Sequence, residues 1–444
     1  MKRTTLKLMA ALFVAALSLG FTSCSDDDDS SDKKVVTLED IGDNEYSDGL
    51  LKYSLGEDGT ACVLGFADNA SSELTIPAKA KFDGKTYSVT AIGEDAFSGC
   101  EKLTSVTFPN TIKEIGEDAY WGCEHLTSAV LPKSIKTIGD YAFDFCYALE
   151  NIGNLNTVEK VGRFCFYGTQ LERITIPATL AEIGEGAFSG TPKLQEIVVE
   201  AGNPTYDSRG KCNAIIEKKT NTLHTACVNT VIPNDVTIIG PNAYYSVPIE
   251  SIEIPSCITT IERKAFYGCT NLKSIVIPDN VTKLGEGAFY NCKSLQSVTL
   301  SKNIEAIESG TFYECTNLKT VNFPEGAKVK SIGYEAFYNS GIESINLPTT
   351  LTKIGEEAFC GSSLKEITLG TTITSIGKYA FAYCDALSKV TCLRNYPAQY
   401  NADENAFGDA ATIDKTLYVN AGYGYKAAYE SISPWKKFKT IKTL

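Results

Sequence analysis

The stretch from Leu272-Lys-Ser-Ile-Val-Ile-Pro278 to Leu284-Gly-Glu-Gly-Ala-Phe289 corresponds to one turn of a repeating backbone. In the first segment, Ile275 and Ile277 occupy alternate positions, which is typical of a strand with one buried face. Pro278 then ends the strand, because proline cannot donate a backbone hydrogen bond to a ladder. The glycine of the second segment permits a tight bend, and the alanine and the aromatic residue close the turn.

The second segment recurs along most of the chain. Its aromatic position advances by 22 or 23 residues at nine of eleven steps, by 25 residues once and by 56 residues once. A period of about 20 to 29 residues is the signature of a leucine-rich solenoid, in which neighbouring repeats supply each other's core. We therefore predict a right-handed coil of short stacked β-strands, with about 12 regular coils of 22–23 residues and one irregular insertion. The anchors are Ile92–Phe97, Ile115–Tyr120, Ile138–Phe143, Val161–Phe166, Ile183–Phe188, Ile239–Tyr244, Ile261–Phe266, Leu284–Phe289, Ile307–Phe312, Ile332–Phe337, Ile354–Phe359 and Ile376–Phe381.

The complete repeat also carries a family resemblance. The pattern Leu-x-x-Ile-x-Ile-Pro, followed by Ile-Gly-x-x-Ala-Phe and often a cysteine, resembles the BspA-like class of bacterial leucine-rich repeats. The resemblance covers roughly Ala91 to Cys392, and the segments Leu417–Gly422 and Trp435–Phe438 are similar to the family's closing segment. It implies a cell-surface or secreted protein, and some members of the class are implicated in adhesion to host matrix proteins and epithelium.

The N-terminal residues predict an export signal. Met1-Lys-Arg3 is positively charged, and Leu8–Gly20 is an apolar run that is too short to span a bilayer. The sequence Phe21-Thr-Ser-Cys24 resembles a bacterial lipobox, which implies that Cys24 is the lipidated first residue of the mature protein. The acidic run Ser25–Asp32 is similar to the signal that sends some Gram-negative lipoproteins to the outer face of the outer membrane. A plain cleaved signal peptide is the alternative.

These observations divide the chain into five predicted regions. They are a lipoprotein signal peptide over 1–23, an acidic flexible tether over 24–36, an N-terminal capping region over 37–90, the solenoid over 91–392 and a C-terminal capping region over 393–444.

The charge and the motif content exclude several classes of protein. A net charge of −13 argues against nucleic acid and anionic membrane as partners, because both require a basic surface, so membrane contact is predicted only through the lipid at Cys24. The chain contains two histidines, His125 and His224, and lacks the common nucleophile, zinc-protease and nucleotide-binding motifs. We therefore predict no enzymatic activity, no catalytic residues and no cofactor. The many carboxylates are interpreted as solvated bend residues.

Fifteen cysteines in an exported chain raise the question of disulfides. Seven of them occupy one repeat position, three residues after the anchor aromatic, where other repeats have Thr169, Thr191, Ser340 or Ser362. Exchange among small residues favours free, buried thiols that act as small core residues, with disulfides between stacked coils as the alternative. The seven are Cys100, Cys123, Cys146, Cys269, Cys292, Cys315 and Cys384.

The irregular repeat spans 199–232. Its segments Ala214–Ile216 and Thr222–Cys227 predict the two strands of a hairpin around a polar turn. Cys212, His224 and Cys227 are residue types that bind metals, but their spacing matches no zinc template and a fourth ligand is missing, so no metal site is predicted.

Two surface ladders are candidate binding sites. The first is the outward face of the strands, whose short polar side chains would let a protein or an extended polymer lie along it; β-propensity and solubility explain the same residues equally well. Its candidate residues are Ser274, Ser297, Thr299, Thr320, Asn322, Ser344 and Asn346.

The second ladder directly follows the anchor aromatic. Rings in consecutive coils would stack about 4.8 Å apart, and aromatic residues are enriched at interfaces. Packing of each ring against the next coil is the alternative explanation. The candidate stripe is Trp121, Tyr167, Tyr245, Tyr267, Tyr290, Tyr313 and Tyr338.

The sequence therefore predicts a lipid-anchored protein on the surface of a Gram-negative bacterium that works by binding. An adhesin-like module for host or neighbouring-cell proteins is the leading hypothesis. Capture of a polysaccharide by the aromatic stripe and a structural envelope protein without a dedicated ligand are the alternatives.

Overall fold

The computed structural model describes residues 32, 34–68, 70–409, 413–422 and 424–444. The predicted signal peptide, the lipidation site Cys24 and most of the predicted tether lie outside the described residues. Within them, the chain forms a β-solenoid of about 15 turns with little helix, which confirms the predicted repeat architecture. The part of the chain that the structure describes contains no helix long and apolar enough to cross a membrane.

The regular elements are short. The strands are β1 (Val35–Thr37), β2 (Glu39–Gly42), β3 (Glu45–Ser47), β4 (Leu51–Leu55), β5 (Thr60–Phe66), β6 (Glu73–Thr75), β7 (Lys79–Phe82), β8 (Lys85–Ile92), β9 (Ser105–Thr107), β10 (Glu114–Ile115), β11 (Ser128–Val130), β12 (Thr137–Ile138), β13 (Lys160–Val161), β14 (Arg173–Ile176), β15 (Glu182–Ile183), β16 (Glu196–Val199), β17 (Tyr206–Asp207), β18 (Ala214–Glu217), β19 (Thr222–Ala226), β20 (Ile238–Ile239), β21 (Thr260–Ile261), β22 (Ser274–Val276), β23 (Lys283–Leu284), β24 (Ser297–Thr299), β25 (Ala306–Ile307), β26 (Thr320–Asn322), β27 (Ser331–Ile332), β28 (Lys353–Ile354), β29 (Glu366–Leu369), β30 (Ser375–Ile376), β31 (Lys389–Cys392), β32 (Ile413–Val419) and β33 (Phe438–Thr443). The α-helix is α1 (Tyr425–Ser431), and 3-10 helices occupy Arg209–Lys211, Pro397–Tyr400 and Trp435–Lys437.

Two parallel ladders run along the solenoid. The anchor ladder joins the two-residue strands that precede the anchor glycine, such as β10, β12, β13 and β15. The strand-face ladder joins the longer strands on another side of the coil, such as β22, β24 and β26. Neighbouring coils contribute residues in direct register, so equivalent side chains form straight columns along the molecule.

The anchor glycine is required by the approach of two coils. A Cβ atom added at Gly285 would lie 2.3 Å from the backbone nitrogen of Arg263, and one at Gly139 would lie 2.6 Å from that of Glu117. Left-handed backbone occurs elsewhere in the coil, for example at Lys264 with φ of 55°. Glycine therefore recurs at this position in ten of the twelve anchors because a Cβ atom would crowd the neighbouring backbone, and Glu262 and Glu308 occupy it in the other two.

The anchor aromatics form the centre of the core. Their rings stack face to face with centroids 5.0–5.6 Å apart, in one series from Phe97 to Phe188 and a second from Tyr244 to Phe407. All anchor rings are almost completely buried. Burial of a large apolar side chain stabilises the fold by about 1.5–3 kcal/mol. Each coil contributes one ring to the column, which explains why the aromatic residue recurs at a fixed spacing in the sequence.

The ladder cysteines pack beside this column with free thiols. Six of the seven are buried, and Cys100 is half-buried, which confirms their interpretation as small core residues. Their thiols link neighbouring coils: Cys292 donates to the carbonyl oxygen of Phe266, with Sγ and O 3.1 Å apart. The hydroxyl of Thr169 bonds within its own coil instead, donating to Phe166 at 2.8 Å.

The irregular repeat divides the core. β18 and β19 form the predicted antiparallel hairpin, which confirms that interpretation, and β17 extends it to three strands. Ile215 packs in the N-terminal core, whereas its neighbours Ala214 and Ile216 pack in the C-terminal core. The alternation of side chains along β18 thus makes the hairpin a wall between two hydrophobic clusters.

Both ends of the solenoid are covered. At the N-terminal end, β2–β5 form antiparallel pairs that join the anchor ladder through β8. At the C-terminal end, Trp435 is buried against Tyr400, Phe407 and Tyr429. Such caps are needed because the terminal coil of an open solenoid would otherwise expose its apolar face.

The strand-face ladder is broken at two predicted strands. Ser251–Ile254 and Ser344–Leu347 match the sequence template, but the structure assigns them no strand, so the predicted strand is wrong in both coils. Both coils have a shortened connection: five residues lead from Tyr244 to Ile249, whereas six lead from Phe289 to Leu295. The strand segment in these coils therefore begins one residue earlier, relative to the anchor aromatic, than in coils with the longer connection.

The shortened connection is a general marker of these breaks. It also occurs from Phe166 to Leu171 and from Phe359 to Leu364, and the strands that follow, β14 and β29, pair only with the next coil. The seven ladder cysteines all belong to coils with the six-residue connection. Cysteine at that position thus accompanies the six-residue connection, whereas threonine occurs with both lengths, as Thr169 and Thr191 show.

Candidate interaction surfaces

Five of the seven candidate strand-face residues lie in one continuous patch. β22, β24 and β26 align Ser274, Ser297 and Thr320 in one row, and Thr299 and Asn322 in a second row behind Val276. Ser344 and Asn346 are exposed but belong to the second break in the ladder, so they do not extend the rows.

The patch is shallow and nearly neutral. Its side chains are short, and the amide of Asn322 donates to the hydroxyl of Thr299 at 3.3 Å. Exposed ion pairs between coils flank it, such as Lys273–Glu250 at 2.7 Å and Lys319–Glu343 at 3.1 Å. Exposed pairs contribute about 0–1 kcal/mol each, so their main effect is to cancel charge beside the patch.

The C-terminal part of the aromatic stripe is a parallel stack, which we call the tyrosine row: Tyr245, Tyr267, Tyr290, Tyr313 and Tyr338. Successive ring centroids are 4.3–4.8 Å apart, with interplanar angles of 4–13°. All five side chains are half-buried. The inner ring faces are therefore covered by neighbouring rings, and only ring edges and hydroxyl groups remain accessible.

The N-terminal part of the stripe has another geometry. Trp121 contacts Phe145 edge to face at 5.8 Å, Phe145 contacts Tyr167 at 5.5 Å, and Tyr167 contacts Tyr245 at 5.5 Å. The last contact crosses the irregular repeat, because Gly190 N–H donates directly to the Tyr245 carbonyl at 2.9 Å. The stripe is thus continuous along the solenoid, although its ring orientation changes.

A buried carboxyl interrupts the stripe. Asp144 occupies the stripe position between Trp121 and Tyr167 and is 5% exposed, and its Oδ1 atom has no hydrogen-bond partner among the described residues. Burial raises the pKa of Asp144 to about 7, and a hydrogen bond from the Trp121 indole opposes that shift. The sequence signal was available, since an aspartate stands where seven of the twelve coils have an aromatic residue, but its burial depends on the neighbouring rings.

Four phenols of the tyrosine row, those of Tyr245, Tyr290, Tyr313 and Tyr338, carry no charge at neutral pH. Desolvation is the main cause that raises the pKa of Tyr245, Tyr290, Tyr313 and Tyr338 above the usual value, and neighbouring phenols or carboxylates add to it. The row therefore offers hydroxyl groups as neutral hydrogen-bonding partners.

The residues considered as metal ligands have other partners. His224 Nε2 lies 3.1 Å from the Ile183 carbonyl oxygen, and its Nδ1 lies 2.9 Å from the Thr225 hydroxyl. Burial lowers the pKa of His224, so the neutral ring with a proton on Nε2 fits these contacts. The thiol of Cys227 donates to the Asn213 carbonyl. Over the described ranges, no group of three or more potential ligands could hold a metal ion.

His224 and Tyr206 instead continue the anchor ladder. The Ile183 N–H donates to the Tyr206 hydroxyl at 3.0 Å, while the Ile183 carbonyl accepts from the histidine. These side chains replace the backbone partners that the next coil would supply. Sequence reasoning missed this role, because both residues lie outside the repeat template.

The stacked coils and their ladders define a leucine-rich repeat solenoid, and its candidate sites are extended surfaces. The BspA type leucine rich repeat region matches residues 81–199, 237–362 and 326–420, so the chain belongs to this family. Members of the family are typically cell-surface proteins, and their repeats generally serve as non-enzymatic binding or structural modules.

Solved structures of bacterial repeat proteins share this fold. A leucine rich cell surface protein from Faecalibacterium prausnitzii is 26% identical, with a TM-score of 0.51, and the match covers 82% of this chain and 98% of that protein. The pneumococcal vaccine antigen PcpA is 20% identical, with a TM-score of 0.57, over 93% and 99% of the two chains. A leucine-rich repeat protein from Eubacterium ventriosum is 21% identical, with a TM-score of 0.53, over 81% and 92%. No curated protein matches the chain.

Proposed function

We propose that this protein is an adhesin-like surface lipoprotein that binds an extracellular protein through its strand face. The supporting observation is the aligned patch formed by Ser274, Ser297, Thr299, Thr320 and Asn322, which is polar, shallow and continuous over three coils. A flat patch of short side chains matches a protein surface better than a small molecule, which needs a concave pocket.

The proposed location combines the family with the N-terminal sequence. Lipidation at Cys24 would hold the solenoid at the outer face of the outer membrane, with the acidic segment as a spacer. The likeness to a surface protein of Faecalibacterium supports surface placement. Metabolic labelling with a palmitate analogue tests the anchor: label should enter the wild-type chain and be lost in Cys24→Ala. Labelling of both would refute Cys24 as the site.

Polysaccharide capture by the tyrosine row is less well supported. Sugars pack against the open faces of aromatic rings, but the inner faces of this row are covered by rings at 4.3–4.8 Å. The row is better explained as packing that joins successive coils.

Binding arrays test the proposed function. The secreted form, with Cys24→Ser to prevent lipidation, would be applied to arrays of extracellular-matrix proteins and of polysaccharides. A Thr299→Glu/Thr320→Lys variant alters the patch, and Tyr290→Ser/Tyr313→Ser is the control on the row. We expect protein binding that falls at least tenfold in the patch variant and persists in the control. No binding on either array would favour a structural envelope protein. Polysaccharide binding that is lost in the Tyr290→Ser/Tyr313→Ser variant would favour nutrient capture.

A further inference from the structure

A groove opens at Ser251–Ile254, where the strand-face ladder is broken. It has a volume of about 1040 Å³ and is lined by the strand-template segments of three consecutive coils. These segments lie at Thr230–Ile232, Ser251–Ile254 and Ser274–Val276. The groove adjoins the proposed binding patch, because β22 is both its wall and the first strand of that patch.

The floor of the groove presents unpaired backbone. Within the described residues, the N–H and C=O groups of Ser251–Ile254 make no hydrogen bond, and the last link to the next coil is from Lys273 N–H to Glu250 C=O at 3.1 Å. β22 pairs with β24 alone, so its other edge faces the groove without a ladder. An edge of this kind is a template for pairing with another extended chain.

The rims of the groove are apolar. Val231 is 71% exposed and Val276 is 64% exposed, and they occupy the same template position in coils on either side of the floor. Ile252 is half-buried between them. An extended peptide places alternate side chains on one face, so it can cover these side chains while its backbone pairs with the floor.

The charge of the groove favours a peptide with a basic residue. Glu253 is its charged lining residue, and it is exposed and forms no ion pair in the described part of the chain. A basic residue in the peptide would meet this carboxylate, in keeping with the net charge of −13.

We propose that this groove binds an extended segment of a protein partner by strand addition. The segment carries aliphatic side chains at alternate positions and a lysine or arginine near Glu253. This inference rests on the proposed function, because it assigns the protein partner a docking mode beside the strand-face patch.

The second break offers a built-in comparison. The groove at Ser344–Leu347 has a volume of about 480 Å³ and a lining rich in threonine, with the charged residues Glu366 and Lys389. It lacks exposed valines like Val231 and Val276. The first groove therefore combines unpaired backbone with apolar rims, whereas the second has the break without the rims.

Selection from a displayed library of random 12-residue peptides tests the proposal directly. The baits are the Cys24→Ser protein, its Val231→Lys/Val276→Lys variant and its Val130→Lys variant. Val130 is the matched control, because it occupies the template position of Val276 in a paired strand and is 48% exposed. Val231, Val276 and Val130 are exposed positions, and unchanged thermal unfolding verifies folding.

We expect selected peptides to bind the parent and Val130→Lys equally and the double variant at least tenfold more weakly. They should contain alternating aliphatic residues and a basic residue, and Glu253→Gln should weaken them several-fold. Bound peptide should slow hydrogen exchange at Ser251–Ile254, and N-methylation of alternate peptide amides should abolish binding.

Failure of this inference is distinct from failure of the proposed function. One outcome is that every selected peptide binds the Val231→Lys/Val276→Lys variant as well as it binds Val130→Lys. That result would overturn the proposal that the groove binds a peptide, even if the protein arrays are positive. Discriminating peptides together with silent arrays would leave the groove supported and refute the adhesin-like function.

Discussion

The two halves of the aromatic stripe share a backbone but differ in side-chain packing. On the C-terminal side of the irregular repeat, tyrosines in consecutive coils stack in parallel, with Tyr290 and Tyr313 only 4.3 Å apart. On the N-terminal side, Asp144 separates Trp121 from Tyr167, and Phe145 fills the gap edge to face. Parallel stacking requires a ring at the same position in consecutive coils, and the N-terminal half has Ser98, Asp144 and Ser189 at three of its five stripe positions.

Beneath the stripe the two halves are alike. The anchor rings Phe143 and Phe289 are both completely buried and stacked on both sides. The comparison therefore separates a core column, which the period of the repeat demands, from a surface stripe that each half fills differently.

The largest effects should fall equally on both halves. Phe143→Ala and Phe289→Ala each remove a buried ring from the anchor column and should reduce the free energy of unfolding by about 3–5 kcal/mol. Urea denaturation followed by circular dichroism measures this change, with the exposed Thr320→Ala as control. A loss below about 1 kcal/mol in one half alone would show that its column is not essential.

A pH-dependent effect should be confined to the N-terminal half. The folded state favours protonated Asp144, whose pKa rises from 3.8 to about 7. Its contribution is fully present below pH 3.8 and is lost as the pH rises through about 7. Asp144→Asn should therefore stabilise the protein at pH 8.5, by at most about 4 kcal/mol, and have little effect at pH 3.5.

Thermal unfolding of wild type and Asp144→Asn across that range measures the difference. The control is Asp95→Asn, which removes an exposed carboxylate two coils away. An equal effect of Asp144→Asn at both pH values would mean that the carboxyl is not buried in its neutral form.

The smallest effect should come from the C-terminal half of the stripe. Tyr290→Ser removes two ring contacts, at 4.8 and 4.3 Å, from a half-buried position. Each aromatic pair contributes about 0.5–1.5 kcal/mol beyond its buried area, so a loss of about 1–3 kcal/mol is expected. Chemical denaturation checks this value, and an unchanged midpoint would indicate that the row does not join the coils.

Much of this architecture could be predicted from the amino-acid sequence alone. The spacing of the anchors predicted the solenoid, and exchange of cysteine with serine and threonine predicted small core residues. The strand template failed at Ser251–Ile254 and Ser344–Leu347, whereas β14 and β29 form strands after an equally short connection, so local alternation does not decide strand pairing. Pairing depends on where the strand begins relative to the previous coil.

The candidate surfaces were predicted in part. The rows Ser274–Ser297–Thr320 and Tyr267–Tyr290–Tyr313 follow from repeat positions, since equal positions in stacked coils become neighbours. The groove beside Val231 and Val276 could not be predicted, because it arises from a ladder that does not form.

The sequence by itself determined the period, the anchor column and the residues that share a face, because a solenoid converts a fixed spacing into direct contact. Only the tertiary structure decided the ring orientations, the burial of Asp144, the role of His224 beside Ile183 and the groove at Ser251–Ile254. These features depend on small displacements between coils, and such displacements are set by packing among several repeats at once.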